Sequence, residues 1–281
     1  MVATRQFGTY GVWRGAAALD EDFAARVEQL GYGALWVGGS PSGDLRLVEQ
    51  LLDATERITL ATGIVNIWKD DAADVARSFQ RIEQRHPGRF VIGIGSGHRE
   101  ATAERRRPLA SLSAYLDVFD AEGIDRDQRI LAALGDRTLA LAAERSLGAH
   151  PYLTTAEHTS RARGIFDATR PGALLAPEQK VVIHEDRDRA RAIARRYLTR
   201  YFGLENYVGA LVRNGVDEED LADGGSDALI DLVASNPTVA AAVAGIDAHL
   251  DAGADHVAIQ PLGDDPLGSL EQLADELALT R

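Results

Sequence analysis

Short hydrophobic runs and longer helical stretches alternate along the whole chain. The runs are rich in Val, Ile, Thr and Trp, whereas the stretches between them are rich in Ala and Arg and follow a helical period. The eight hydrophobic runs are Gln6–Trp13, Gly33–Gly39, Ile58–Asn66, Phe90–Gly97, Arg129–Gly135, Ala149–Thr154, Lys180–His184 and His256–Leu262. The pattern therefore predicts eight strand–helix units.

The hydrophobic runs show little alternation of apolar and polar residues, which is typical of strands buried on both faces. A parallel sheet covered by helices buries its strands in this way. Eight units in 281 residues fit a closed (β/α)8 TIM barrel, and an open doubly wound sheet is the alternative fold. We expect a single barrel domain over residues 1–281, because no stretch is long and polar enough to link two domains.

The regular spacing of the units is interrupted once, after the seventh run. About 70 residues separate the seventh run from the eighth, whereas the other units take about 20–30 residues each. Two glycines at Gly224 and Gly225 and the Asn236–Pro237 pair divide this segment. We therefore expect a helical insertion at approximately residues 204–237, which covers part of the barrel mouth.

The composition excludes several classes of protein. Forty-three acidic residues against 30 basic ones give a net charge of −13, which disfavours a general nucleic-acid binder. Cysteine is absent, so disulfides, thiolate nucleophiles and cysteine-based zinc sites are excluded. No stretch approaches the ~18 apolar residues of a membrane span, and the first residues do not resemble a signal peptide. We expect a cytoplasmic protein without a membrane partner.

The predicted strand ends indicate chemistry that a cofactor carries. In barrels the active site lies at the carboxyl ends of the strands, and here these ends are rich in glycine, at Gly38, Gly63, Gly95 and Gly97. Glycine lets the backbone approach a flat ligand closely. The ends carry few carboxylates, no pair with metal-ligand spacing and, in this interpretation, no lysine for a Schiff base. A bound cofactor would supply what these side chains lack, and no metal site is predicted.

Five segments, spread over nearly the full chain, carry a family resemblance. They are Gln29–Val37, Ile58–Val65, Pro87–Gly97, Leu147–Tyr152 and Ala252–Ile259. On these residues the chain resembles the luciferase-like monooxygenase superfamily, and within it the bacterial oxidoreductases that use the deazaflavin coenzyme F420. The resemblance implies a (β/α)8 barrel with an insertion after the seventh strand, a homodimer, and a flavin or deazaflavin ring across the barrel mouth.

The resemblance also implies where the cofactor binds. A non-prolyl cis peptide bond is expected behind the ring at Gly63–Ile64, and a phosphate is expected at the start of the sixth helix. The implied cofactor-binding residues are Gly38, Gly63, Ile64, Asn66, Gly95, Ser96, Gly97, His98, His150, Pro151, Tyr152, Thr154, Thr155, His158 and Arg161. For Thr154 and Thr155, simple capping of the helix is an equal alternative.

The chain departs from the dehydrogenases of the superfamily at the residues that move protons. Those relatives have an Asp-His pair at the second strand end and a Glu after the glycines of the fourth strand. Here the second strand ends Gly38-Gly39-Ser40, and His98 aligns with the Glu. His98 is therefore the candidate catalytic residue, because histidine titrates near neutral pH. The alternatives are a proton taken from water and a purely structural His98.

Two groups of arginines stand out in this acidic chain. Arg99 and Arg105–Arg107 make the loop after the fourth strand locally positive, which either attracts an anionic cofactor or pairs with Glu100 and Glu104. The arginines of 187–200 spread around the helix after the seventh strand, and we interpret them as a solvated face.

Three functions remain open from the sequence. The first is an F420-dependent oxidoreductase that moves a hydride between the deazaflavin and an unidentified small organic substrate. The second is an FMN-dependent luciferase-like monooxygenase, and the third is a flavin- or deazaflavin-binding protein without turnover. Trp13 and Trp68 indicate a partly apolar substrate that stacks on the ring.

Overall fold

The computed structural model describes residues 7–97 and 107–279. The strands are β1 (Tyr10–Gly15), β2 (Ala34–Gly38), β3 (Thr59–Gly63), β4 (Val65–Asn66), β5 (Phe90–Gly95), β6 (Arg129–Leu131), β7 (Gly148–Ala149), β8 (Leu174–Leu175), β9 (Glu178–Val181), β10 (Ala234–Ser235) and β11 (Val257–Pro261). The α-helices are α1 (Glu21–Gln29), α2 (Arg46–Asp53), α3 (Ala72–Arg85), α4 (Pro108–Ala121), α5 (Asp136–Arg145), α6 (Ala156–Thr169), α7 (Arg187–Leu198), α8 (Glu205–Arg213), α9 (Asp227–Val233), α10 (Val239–Asp251) and α11 (Pro266–Glu276).

The strands form a parallel barrel, as the sequence predicts. Every pairing between the described strands is parallel, and the order runs β9, β11, β1, β2, β3, β5, β6, β7, β8. β8 and β9 are two parts of one extended stretch, separated by Ala176 and Pro177. β8 pairs with β7 while β9 pairs with β11, so this interrupted stretch closes the barrel. The predicted fold class is confirmed.

Strand burial explains why the hydrophobic runs show so little alternation. Every residue of β2 and every residue of β11 is buried, because the barrel interior covers one face and the helices cover the other. Inside the barrel, the aromatic side chains of Phe7, Trp13 and Trp36 pack among small and aliphatic residues. The Trp36 indole stacks on His150 with ring centroids 4.0 Å apart and donates from Nε1 to Nε2 of His256 over 3.0 Å.

Several predicted element boundaries are wrong by a few residues. The first strand begins at Tyr10 rather than Gln6, and the sixth is only Gly148–Ala149. The seventh strand was predicted at Lys180–His184, but it consists of β8 and β9 and ends at Val181. The error arises at Pro177, because proline lacks an amide hydrogen and interrupts the pattern from which a strand is read.

The helices begin close to the predicted residues because polar caps mark their starts. Asp20, Asp71 and Asp186 each accept a hydrogen bond from a free backbone N–H of the first turn. The long segment after β9 contains α7 to α10 and a 3₁₀-helix at Glu218–Gly224. Arg191 and Arg195 of α7 form ion pairs with α9, which holds this helical segment together. Among the described residues no helix is long and apolar enough to cross a membrane.

We predict that Gly148→Ala destabilises the protein by about 2–3 kcal/mol or more, measured by urea unfolding. An added Cβ at this position would lie 1.8 Å from the carbonyl oxygen of Leu174, so β7 and β8 would have to separate. The control is Gly164→Ala in α6, where no atom lies within 4 Å of the added Cβ. We expect the free energy of unfolding of this control to rise by up to ~1 kcal/mol, because alanine has a higher helix propensity than glycine. Equal stability of the two variants would contradict the prediction.

Candidate active site

A cavity of about 690 Å³ opens at the carboxyl ends of the barrel strands. This volume falls within the range of small-molecule and cofactor sites. Strand ends supply its floor, and α7, α8 and the residues between them supply one wall. The lining side chains with polar atoms are Trp13, Arg14, Ser40, Ser96, Thr138, His150, Tyr152, Tyr197, Arg200, Tyr201, Asn206, Tyr207, Arg213 and Gln260.

The floor of the cavity is built around Gly63. The Gly63–Ile64 peptide bond is cis, as the resemblance implies. A Cβ at Gly63 would lie 2.8 Å from Trp13 Nε1 and 3.2 Å from His150 Nε2, so a side chain at this position is excluded. Both nitrogens are buried and have no hydrogen-bond partner among the described residues. Glycine at position 63 therefore lets the Trp13 and His150 rings pack against the Gly63–Ile64 backbone in the cavity floor.

His150 is a neutral group in this floor. Its Nδ1 donates to the carbonyl oxygen of Ala176 over 2.7 Å, which leaves Nε2 as an acceptor. Burial lowers the pKa of His150 to about 3, since the ring lies between Trp36 and the backbone with no water to solvate a charge. His150 is consequently neutral at physiological pH, and its Nε2 lies beside Gly63 as a hydrogen-bond acceptor.

Three tyrosine hydroxyls meet on the α7 side of the cavity. Tyr152 lies 2.9 Å from Tyr197 and 3.2 Å from Tyr201, and the last two are 3.4 Å apart, oxygen to oxygen. Gln260 of β11 donates to the Tyr197 oxygen over 2.8 Å and accepts from the Tyr152 hydroxyl over 3.0 Å. Arg200 donates to the Tyr201 oxygen over 3.0 Å. We call Tyr152, Tyr197 and Tyr201 the tyrosine cluster.

A buried ion pair lies directly beneath the tyrosine cluster. Lys180 Nζ is 2.7 Å from Glu178 Oε2, and both side chains are almost completely buried. The ammonium group also lies 3.9 Å from the centroid of the Tyr152 ring, within range of a cation–π interaction. Burial raises the pKa of Glu178, and Lys180 and the backbone N–H of Leu153 act against this rise.

The described part of the cavity is electropositive, although the protein carries a net charge of −13. Arg14, Arg200 and Arg213 line it, and no acidic side chain does. None of these three arginines forms an ion pair with a described carboxylate. In a chain with 43 acidic residues, such unpaired cations around one cavity indicate an anionic ligand.

The structure brings six of the implied cofactor-binding residues to the cavity. These six are Gly63, Ile64, Ser96, Gly97, His150 and Tyr152. Gly38 packs beneath the Trp13 ring, and Gly95 packs against Ile64 and Ala132. Asn66 turns away from the cavity, since its Oδ1 accepts from the backbone N–H of Trp68. The candidate catalytic residue His98, with Arg99, Arg105 and Arg106, lies outside the described residues.

The remaining implied residues lie behind the cavity wall. Pro151 accepts from the backbone of Glu178, and Thr154 is buried. Thr155 caps α6 by accepting from the N–H of His158, which fits the capping alternative. His158 itself contacts the carbonyl oxygen of Leu134, and Arg161 pairs with Asp136 over 2.6 Å. None of these five residues lines the cavity in the described part of the chain, and the buried Thr154 hydroxyl has no hydrogen-bond partner there.

Two other sequence interpretations need correction. Trp68 does not line the cavity, because its Nε1 donates to the carbonyl oxygen of Ser96 over 2.9 Å and so anchors the strand end. The arginines of 187–200 do not form one solvated face. Arg191 and Arg195 pair with α9, whereas Arg200 lines the cavity.

Sequence reasoning missed the α7 side of the site. Tyr197, Tyr201 and Tyr207 line the cavity, and their clustering within eleven residues of an otherwise charged segment was the available signal. Lys180 was also missed, because the shifted strand boundary placed it at the amino end of its strand. It is in fact the third of the four residues of β9, close to the carboxyl end.

The first part of the chain matches a known protein family. Residues 8–122 match the luciferase-like monooxygenase family. A 93-residue segment is 30% identical to 4-hydroxyprotoasukamycin monooxygenase of Streptomyces nodosus subsp. asukaensis. That match covers 31% of this chain and only 24% of that enzyme. The predicted resemblance is confirmed at the level of the superfamily.

Solved structures share the fold over nearly the whole chain. An F420-dependent secondary alcohol dehydrogenase in complex with an F420-acetone adduct superposes with a TM-score of 0.76 at 14% identity, over 97% of this chain and 99% of that one. The F420-dependent tetrahydromethanopterin reductase of Methanopyrus kandleri superposes with a TM-score of 0.73 at 14% identity, over 95% of this chain and 97% of that one. The oxygenating constituent of 3,6-diketocamphane monooxygenase from Pseudomonas putida, in complex with FMN, gives 0.70 at 15% identity, over 96% and 97%. At these identities the likeness establishes the fold alone.

We predict that the free energy of unfolding decreases as the pH is lowered from about 7 to about 5. His150, His249 and His256 are buried, and burial lowers their pKa values to about 3, 4 and 4. In the unfolded chain these histidines take up protons near pH 6.5, so acid favours unfolding, by at most ~1.4 kcal/mol per pH unit for each histidine.

Urea unfolding at pH 7, 6 and 5 measures this effect. The variant His249→Asn removes one of four buried histidines, since burial also lowers the pKa of His158, so the dependence of its stability on pH should be weaker by about a quarter. If this variant shows the same dependence of unfolding free energy on pH as the wild type, or if the wild-type value does not vary over this range, the buried histidines do not cause the expected loss of stability in acid.

Proposed function

We propose that the protein is an oxidoreductase that transfers a hydride between coenzyme F420 and a small organic substrate in the cavity at the barrel mouth. The observation that carries the proposal is a cavity floor with two unpartnered ring nitrogens, those of Trp13 and His150, combined with a wall that carries three arginines and no described carboxylate. Such a site accepts a flat ring with an anionic tail. The superfamily fold and the two F420-dependent structural neighbours support this assignment.

The residues of the cavity fit a ring cofactor. Gly63 has no side chain to block the floor, and the unpartnered Trp13 Nε1 and His150 Nε2 beneath it present one donor and one acceptor. Buried polar atoms are normally paired, so two such atoms at one site indicate a ligand. Ser96 and Gly97 at the end of β5 complete the described floor. These residues would hold the ring, and Arg14, Arg200 and Arg213 would hold its anionic groups.

When bound, the deazaflavin supplies the two-electron chemistry of hydride transfer. The contribution of this chain is to position the substrate and exclude water. Trp13, Tyr152 and Tyr207 provide an aromatic surface on which a partly apolar substrate packs. A proton must accompany the hydride, and the neutral His150 cannot give one at physiological pH.

An FMN-dependent monooxygenase is the alternative function, because an FMN enzyme shares the fold. The three unpaired arginines favour F420, since its phosphodiester and glutamate tail carries more negative charge than the single phosphate of FMN. A protein that binds the cofactor without turnover is the third alternative.

The homodimer and the cytoplasmic location remain predictions.

We predict that F420 quenches the tryptophan fluorescence of the purified protein and binds more tightly than FMN does, because Trp13 lines the cavity. Arg200→Gln and Arg213→Gln should each weaken F420 binding by about 10-fold, the effect of one lost charge-assisted hydrogen bond. The matched control Arg46→Gln alters an arginine that is 82% exposed and should leave the affinity unchanged.

Tighter binding of FMN would favour the monooxygenase, and binding of neither cofactor would reject the proposal. If F420 binds, oxidation of reduced F420 is then followed with acetone, cyclohexanone, benzaldehyde and cyclohex-2-enone as acceptors. F420 binding without oxidation by any acceptor would favour the non-catalytic alternative.

A further inference from the structure

The tyrosine cluster is arranged to hold a negative charge. Gln260 Nε2 donates to the oxygen of Tyr197, and Arg200 donates to the oxygen of Tyr201. The Lys180 ammonium lies 3.9 Å from the ring centroid of Tyr152 and 6.0 Å from that of Tyr197. The Arg200 guanidinium lies 4.4 Å from the centroid of the Tyr197 ring. Three groups, namely the Lys180 ammonium, the Arg200 guanidinium and the Gln260 amide, therefore surround three hydroxyl groups that are hydrogen-bonded to one another.

The hydrogen bonds single out one member of the cluster. The Gln260 amide faces both Tyr152 and Tyr197, but it accepts a hydrogen from Tyr152 and gives one to Tyr197. Tyr152 thus has an acceptor for its hydrogen, whereas the Tyr197 oxygen receives a donor that would stabilise it as an anion. Tyr197 also lines the cavity, and its hydroxyl contacts three other lining side chains, those of Tyr152, Tyr201 and Gln260.

We propose that Tyr197 is the catalytic proton donor and acceptor of this site, and that the substrates are small carbonyl compounds and the matching alcohols. This inference rests on the proposed hydride transfer. In reduction, the carbonyl carbon gains the hydride from the reduced deazaflavin while the π pair moves onto oxygen. The Tyr197 O–H bond breaks as the substrate O–H bond forms, and the tyrosinate regains its proton from water. In oxidation the same steps run in reverse.

The charged and titratable groups around Tyr197 make it different from every other tyrosine of the chain. On the β9 side, Tyr197 faces Lys180 and the Glu178 that pairs with it. Arg200 and Tyr201, which follow α7, face it from its own side, and Tyr152, which follows β7, contacts its hydroxyl. Burial opposes ionisation, but the charge of Lys180, the hydrogen bonds with the Tyr152 and Tyr201 hydroxyls and the hydrogen bond donated by Gln260 lower the pKa of Tyr197.

The other six tyrosines have raised pKa values, chiefly through burial. They are Tyr10, Tyr32, Tyr115, Tyr152, Tyr201 and Tyr207. One tyrosine of seven should therefore ionise before the rest. This contrast makes the inference measurable on the protein without any cofactor.

Alkaline titration of the folded protein, followed by tyrosinate absorbance, is the decisive experiment. We expect one early ionisation, equal in amplitude to one tyrosine, that is absent in Tyr197→Phe. The control Tyr115→Phe removes a tyrosine far from the cavity and should keep the early ionisation while reducing the late amplitude. Simultaneous ionisation of all tyrosines, or an early phase that persists in Tyr197→Phe, would overturn the inference.

Two further variants test the cause of the early ionisation. The double variant Lys180→Met with Glu178→Gln removes the ammonium without leaving a buried carboxylate alone, and Gln260→Leu removes the donor to Tyr197. Both should move the early ionisation to higher pH. Circular dichroism checks that each variant folds, and the Gln260→Leu result stands even when the double variant does not fold. No movement in a folded Gln260→Leu variant would contradict the assigned hydrogen bond.

Turnover with the four carbonyl acceptors and reduced F420 then tests the catalytic role. Tyr197→Phe should lower kcat by about 10²–10⁴-fold, the usual contribution of a general acid, with KM changed much less. The fall of wild-type kcat at alkaline pH should also disappear in this variant. An unchanged kcat would reject Tyr197 as the proton donor. If the wild type reduces none of the acceptors, the proposed function fails, and the titration still decides whether Tyr197 ionises first.

Discussion

The buried ion pair of Lys180 and Glu178 connects barrel closure to the chemistry of the mouth. Both residues lie on β9, the strand that joins β11 and closes the barrel. Glu178 also accepts from the backbone of Leu153, and Lys180 contacts the ring of Tyr152. Breaking such a pair from one side typically costs about 3–5 kcal/mol, because the remaining charge stays buried. The same ion pair therefore supports three features: the closure of the barrel at β9, the backbone at Leu153 after β7, and the tyrosine cluster.

The site combines an electropositive wall with an acidic exterior. Many surface arginines are neutralised locally, as Arg191 and Arg195 are by the carboxylates of α9. Arg200, on the same helical segment, instead faces the cavity together with Arg14 and Arg213. The local field thus favours an anionic ligand inside the mouth, while the net charge of −13 disfavours polyanions such as nucleic acid elsewhere.

The helical segment after β9 supplies chemistry that the described strand ends lack. These described ends contribute mainly backbone, glycine and His150, whose lowered pKa keeps it from carrying a proton at neutral pH. Tyr197, Tyr201 and Tyr207 come from α7, α8 and the residues between them. The helix that the sequence analysis interpreted as a solvated face therefore carries the candidate proton-transfer group.

The sequence by itself determined the order and type of the strands and helices, because periodicity, caps and glycines act over a few residues. It also indicated the Gly63–Ile64 floor through the family resemblance. Only the tertiary structure decided which polar side chains meet in the mouth. Tyr152 is 45 residues from Tyr197 and 108 from Gln260, and their contacts exist only after the barrel closes. The start of β9 was predicted two residues too late, and for this reason Lys180 was not recognised as a residue near the carboxyl end of its strand. Contacts between distant segments depend on strand register, which cannot be read from a local sequence pattern.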